Sequence, residues 1–167
     1  RMLGISEAAG GHIINKDRLW FYTEGVKNWD PIWPNHGIRI LPGPSSLWFD
    51  ANGDRMQAPF FPGFDTLGTL KRILSTGHSH SWFILTQKII EKEFALSGSE
   101  QNADLTSKKW SEVLKSRLLS KGATPEVEAF KEKGQDFVVA NDFSTLVQGM
   151  NQIAGGALDE AKLRAQI

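Results

Sequence analysis

The chain has 167 residues, enough for one domain with a core of its own. Its 19 basic residues balance 19 acidic ones, and a 40% hydrophobic, 23% charged composition is ordinary for a soluble globular domain, with no basic patch to mark it for nucleic acid. The absence of cysteine excludes disulfides, thiolate catalysis and cysteine-ligated zinc.

No apolar run approaches the ~20 residues of a membrane span, and no signal peptide is visible. The expectation is a cytoplasmic protein without a membrane partner. The chain opens on Arg1-Met2-Leu3-Gly4-Ile5 and closes on Leu163-Arg164-Ala165-Gln166-Ile167, which reads as a helix without a stop signal. Both ends predict a piece of a longer protein.

In chain order, Ser6-Glu7-Ala8-Ala9 favours helix and Gly10-Gly11 ends it. The stretch from Trp20 to Pro44 mixes tryptophan, proline and glycine. It predicts a strand near Trp20 to Tyr22, then a structured loop. Ser46-Leu47-Trp48-Phe49 leads through Asp50-Ala51-Asn52-Gly53 into Asp54-Arg55-Met56-Gln57. Asn52-Gly53 supplies the positive φ that a tight hairpin needs. Leu47, Phe49 and Trp82 are expected to pack together on neighbouring strands.

Asp65 or Thr66 caps a helix to about Ser75, with Leu67, Leu70, Ile73 and Leu74 on one face and Gly77 just past its end. Trp82-Phe83-Ile84-Leu85 reads as a buried strand. Thr86 starts a helix that spaces Ile89, Ile90 and Phe94 for packing. Ser97 to Asp104 is polar and irregular. Ser107 is expected to cap a helix that turns Trp110, Val113, Leu114 and Leu118 inward. Thr124-Pro125-Glu126 puts proline at the first helical position of a helix ending near Gly134. Phe137-Val138-Val139 predicts a short strand, and Asp142 opens a helix through Leu146, Val147 and Met150. The sum is an α+β fold, an antiparallel sheet with surrounding helices. The chain lacks regular βαβ alternation, G-x-G-x-x-G and a Walker A loop, so it carries no conventional dinucleotide site.

Four segments, in order, resemble the fumarate reductase and succinate dehydrogenase flavoprotein family. The nearest branch resembles the bacterial FAD-binding dehydrogenases akin to 3-ketosteroid Δ1-dehydrogenase. Arg1 to Gly10 is similar to the family's small-residue helix G-D-G-x-x-M-A-x-x-A-G. Gly37 to Arg55 is similar to its glycine-rich loop feeding a hairpin of the type N-x-x-G-x-R-F. His80-Ser81-Trp82-Phe83-Ile84-Leu85 is similar to a strand of the type A-W-L-I-F-D. Phe137 to Leu146 is similar to the closing K-A-D-T-L-E-E-L element. The resemblance implies that residues 1–167 are a single substrate-capping domain excised from a two-domain flavoprotein, with the FAD-binding domain on both sides in the full-length chain. FAD would then be bound by the missing domain and not by this fragment, which is expected to be inactive alone. Hydride would pass between substrate and flavin at the seam between the domains.

The departures argue against fumarate reduction. The family's T-R-D segment falls at Asp65-Thr66-Leu67-Gly68, without an arginine. Its N-E pair after R-F falls at Gln57-Ala58-Pro59. Dehydrogenation of a larger, apolar, steroid-like ketone fits better.

Within that frame the substrate-binding candidates are His36, Arg39, Phe64, Asp65 and Thr66; the catalytic acid or base is not identified. His36 lies where the family places a substrate-binding histidine, in a Q-x-H-P-T pattern, or it is a loop histidine bonded to nearby backbone. Arg39 pairs with an anionic substrate or the flavin domain, or stands on the solvated face of an ordinary strand. Asp65 and Thr66 align with the altered catalytic segment, or serve only to cap the helix. Phe64, with Phe60 and Phe61, lines an apolar pocket or covers the core edge. His78 and His80 lack a third ligand for a metal. The expected partners are the chain's own FAD-binding domain, a small apolar substrate, and a second copy of the fragment if the exposed face self-associates. The competing reading is a non-catalytic binding module that uses the tryptophan-rich loop from Trp20 to Trp48.

Overall fold

The computed structural model describes every residue except Arg1, Leu19, Ser120 and Ala157, and Leu118 without its side chain. The chain is α+β, but its strands form two small antiparallel sheets in place of one. Strands β1 (Gly25–Lys27), β2 (Gly37–Leu41) and β5 (Ala95–Leu96) form the first, in the order β1-β2-β5. Strands β3 (Leu47–Asp50) and β4 (Ser81–Ile84) form the second.

Strand alternation sets the core. On β2, Ile38 and Ile40 point into a cluster with Phe94, Leu96, Val127 and Phe130, where helix α6 (Pro125–Lys133) covers the first sheet. Arg39 therefore points the other way. On β3 both faces are covered. Phe49 packs with Val147 and Met150 of helix α7 (Phe143–Ala154), Leu163 of helix α8 (Glu160–Arg164) and Leu158 from the connection between them. Trp48 packs with Met56 and with Ile73 of helix α2 (Thr66–Ser75). The expected trio forms: Phe49 stands opposite Trp82 in the β3–β4 register, and Leu47 flanks the same cluster.

The predicted hairpin turn is present. Gly53 has φ +77°, and a Cβ there would come within 3.3 Å of Leu163. Asp50 holds the turn from inside: one carboxylate oxygen accepts from the N–H groups of Asn52 and Asp54 at 2.9 and 3.0 Å, and the other from Arg72 at 2.6 Å. The returning arm forms only a single bridge, Phe49 to Arg55.

The predicted caps are also in place. Asp65 accepts from the N–H of Gly68 at 2.9 Å, Thr86 from Ile89 at 3.4 Å ahead of α3 (Gln87–Glu93), and Asp142 from Thr145 at 2.8 Å. Pro125 opens α6. Helix α1 (Met2–Ala8) stops before Gly10, as its glycines predict, and buries nothing.

Four expectations are corrected. Trp20 to Tyr22 forms no strand; the strand lies three residues on, and Trp20 is 89% exposed. Phe137 to Val139 forms no ladder, because Phe137 packs on the first cluster and Val138 on the second, so the segment spans two cores. On α2 the buried pair is Thr69 and Ile73, while Leu74 faces solvent. Ser107 ends a short helix, α4 (Ala103–Thr106), instead of starting one. The helical run after it is α5 (Trp110–Val113) followed by a π-helical turn at Leu114–Leu119. Trp110 there is 70% exposed and Leu114 is exposed too; the Leu118 side chain lies outside the described residues. Lys108 breaks the helix with φ +54°, and Arg117 folds back to donate to Asp104 at 2.8 and 2.9 Å.

Two stability predictions follow from these contacts. Phe130 is fully buried at the centre of the first cluster, so Phe130→Ala should cost about 3–5 kcal/mol in denaturant unfolding of the chain. Arg117 beside Asp104 holds its carboxyl down at about 2. A depressed carboxylate stabilises the fold above its unfolded pKa and loses that contribution as pH falls through the folded value. Asp104→Asn should therefore cost on the order of 1 kcal/mol near neutrality, after solvent screening. The gap from wild type, followed by urea unfolding at stepped pH, should close between about pH 4 and pH 2.

Candidate functional site

Arg39 does not reach open solvent directly from β2. The backbone carbonyl of Glu24 accepts from Ile40 N at 2.9 Å, so the pairing with β2 continues one residue before Gly25 and keeps Glu24 beside Arg39. The Arg39 guanidinium carbon lies over the Tyr22 ring, 3.7 Å from its centroid, a cation–π contact. The Glu24 side chain lies at the guanidinium edge. Glu24 is 2% exposed; its Oε1 accepts from Gly63 N at 2.8 Å, and its Oε2 stands 3.8 Å from Arg39 Nε. That last distance is an ion pair without a hydrogen bond, and neither atom has another partner.

The third wall is the loop before α2. Phe61 N bonds to Pro59 O at 2.9 Å and Phe64 N to Phe61 O at 3.1 Å, which winds the loop tightly. Gly63 is required at its apex for two reasons. Its φ is +74°, and a Cβ would come within 3.1 Å of Arg39 Nη2. The winding leaves Phe61 exposed and Phe64 74% exposed. Asp65 follows as the cap of α2 and, with Arg18, Trp20, Leu67, Gly68 and Lys71, lines a shallow depression beside it. Trp20 stands edge-on to Tyr22, with ring centroids 6.4 Å apart. The result is one oriented cation beneath an aromatic rim.

Of the residues expected from sequence, Arg39, Phe64, Asp65 and Thr66 come together on this side. Phe64 is exposed, Asp65 caps, and Thr66 is the half-buried first residue of α2. His36 is placed elsewhere. It is 6% exposed and stacked on Trp33 with centroids 3.8 Å apart. Its Nδ1 accepts from Ile32 N at 3.3 Å and lies 3.2 Å from Asn28 Nδ2. Because Nδ1 must supply a lone pair to Ile32, the proton sits on Nε2, which faces Glu100 at 3.3 Å. Both ring nitrogens are thus used within the fold, tying the loop ahead of β2 to the loop after β5.

His78 and His80 touch, with centroids 5.5 Å apart. Burial, with the His78 charge behind it, pushes His80 below the ordinary imidazole range. No group of three metal-ligating side chains occurs among the described residues. His80 lines a cavity of about 510 Å³ between the two sheets, with Thr23, Trp82, Val138 and Met150, and Glu24 reaches its wall as well. Sequence reasoning missed Tyr22 and Glu24. The available signal was a lone carboxylate in the Tyr22-Thr23-Glu24-Gly25 run next to a short strand, which only tertiary pairing turns into a site.

Among the described residues every strand pair is antiparallel, and no strand passes through a glycine turn into a helix.

The family described as FAD binding domain matches residues 1–167. A KsdD-like steroid dehydrogenase of Mycolicibacterium smegmatis is 57% identical over 168 residues, covering 100% of this chain and 30% of that protein. KsdD-like steroid dehydrogenases of two Mycobacterium tuberculosis strains are 58% and 57% identical over 153 residues, covering 92% of this chain and 27% of each of those proteins. The chain therefore spans less than a third of the length of these relatives. No solved structure matches it significantly.

Removing Arg39 strands the buried Glu24 carboxylate with one hydrogen bond. Arg39→Ala should lower stability by about 1–3 kcal/mol. Adding Glu24→Gln, which removes the charge, should return part of that loss in thermal unfolding. Additive losses in the double variant would show that the two side chains are not coupled.

Proposed function

The chain belongs to the FAD binding domain family, and on that premise we propose that it is the substrate-capping part of an FAD-dependent dehydrogenase acting on an apolar, steroid-like ketone. The observation that carries the reading is the face where Arg39 lies on Tyr22 beneath exposed Trp20, Phe61 and Phe64. An apolar substrate body suits the rim, and a carbonyl oxygen suits the guanidinium, whose Nη groups meet no acceptor among the described residues. The names of the relatives support the substrate class, and their greater length supports a flavin-binding portion elsewhere in the full-length chain.

When bound by that portion, FAD supplies the redox chemistry. The residues of this chain would bind and orient. Arg39 donates to the substrate's polar end, Phe64 contacts its apolar body, and Asp65 and Thr66 fix the start of α2 behind it. Closure of the aromatic rim over the substrate would exclude water. His36 in this reading acts at a distance, by holding the loop that leads into β2.

The binding-module alternative is less well served. Trp20 and Trp33 are exposed, but Trp48 lies in the third cluster and Trp29 packs against the first, so the tryptophans do not make one surface. No helix among the described residues is long and apolar enough to cross a membrane; a cytoplasmic setting is part of the proposal.

Two measurements test the reading. The isolated chain mixed with FAD should elute from gel filtration colourless; stoichiometric flavin on it would place the cofactor site here. In the full-length flavoprotein, Phe64→Ala should cut steroid-ketone turnover by about ten-fold, with the melting temperature unchanged because the side chain is exposed. Normal turnover would remove this face from the site.

A further inference from the structure

Glu24 is the most costly residue near the candidate site. A carboxylate taken almost wholly out of water is tolerated only where donors replace its hydration. Glu24 has one hydrogen bond, from Gly63 N at 2.8 Å, and one cation, Arg39, held off at 3.8 Å. The fold itself does not ask for a charge there. The β1–β2 ladder is made by backbone groups, and the adjoining core is apolar. We propose that Glu24 is a positioning residue for Arg39, setting its guanidinium so that the Nη edge faces the substrate's carbonyl oxygen.

Three contacts restrain the guanidinium plane. The Tyr22 ring lies 3.7 Å from the guanidinium carbon, Glu24 Oε2 stands 3.8 Å from Nε, and Nη2 fills the space that a side chain at position 63 would need. Together they leave the Nη edge as the part free to donate. Arg39 is 24% exposed on its side chain while its Nε is buried, so the exposure lies elsewhere on that side chain. Because Glu24 also holds Gly63 N, the same carboxylate ties the cation to the loop carrying Phe61 and Phe64. Polar and apolar halves of the face are thereby fixed relative to each other. A lysine at position 39 would not reproduce this, since an ammonium has no planar fork to orient.

The inference rests on the reading of this face as substrate-binding, and the experiment separates the two. In the full-length flavoprotein, progesterone binding is followed by the flavin difference spectrum, and KM and kcat by dye reduction. Glu24→Gln keeps the shape and an oxygen for Gly63 N but removes the charge. It should weaken progesterone binding and raise KM by about ten-fold, with kcat and the melting temperature little changed. In an Arg39→Ala background the same substitution should add nothing. Glu24→Asp, which keeps the charge on a shorter arm, should fall between wild type and Glu24→Gln, and it carries the test if Glu24→Gln does not fold. A lowered melting temperature with unchanged KM would make Glu24 purely structural and overturn the inference while leaving the site. Unchanged binding and KM in Arg39→Ala would overturn both, as would a wild-type flavin spectrum that progesterone does not perturb.

Discussion

A carboxylate can leave water only if something replaces its hydration, and two carboxylates in this chain have done so. Asp50 is answered in full. Two backbone N–H groups and the Arg72 guanidinium reach it at hydrogen-bonding distance. The hairpin, α2 and the strand that is buried on both faces all converge on that one side chain. Glu24 is answered in part, with one amide at 2.8 Å and a cation beyond hydrogen-bonding reach at 3.8 Å. The comparison is informative because both are paired with arginine and both are almost wholly buried. A fully satisfied network rigidifies a fold, and a partly satisfied one is kept at a cost to stability. The cost of Glu24 falls beside the exposed aromatic rim.

How much of this was legible in the sequence follows from the range of each interaction. Caps and turns are written within four residues, and the structure honours them at Asp65, Thr86, Pro125, Asp142 and Gly53. Strand positions depend on a partner far along the chain, and there the reading slipped. The strand expected at Trp20 to Tyr22 lies at Gly25–Lys27, because Val26 must meet Ile38. The Phe137 to Val139 segment has strand-like residues, yet each is claimed by a different cluster. In Trp110 and Leu114 helical spacing is real but the partner face is missing, so periodicity alone misjudged burial.

The site shows the same division. Arg39, Phe64 and Asp65 could be nominated from local pattern and family resemblance, and they do meet in space. His36, only three residues before Arg39, does not join them. Its amide bonds to Trp33 O in the turn before β2, and its ring is turned back into that loop. Glu24 was invisible to local reading because its meaning lies in residues 39 and 63, one from a strand and one from a loop apex.

An isolated domain finished on all sides would show satisfied polar groups and scattered apolar exposure. Here three clusters are closed, and the hairpin and C-terminal helix are cross-linked by Gln166 and Lys162 onto Gly53 and Asn52. Where Tyr22, Arg39 and Gly63 adjoin, a buried carboxylate with one hydrogen bond lies beneath exposed Trp20 and Phe64. Exposed aromatics alone would suit any apolar partner. An arginine held over the Tyr22 ring, with a buried carboxylate beside it, is a narrower demand. On the proposed reading it would meet an oxygen acceptor presented above an apolar surface. Chance exposure after losing a neighbouring domain would account for the aromatics, but it would not account for burying Glu24 behind them.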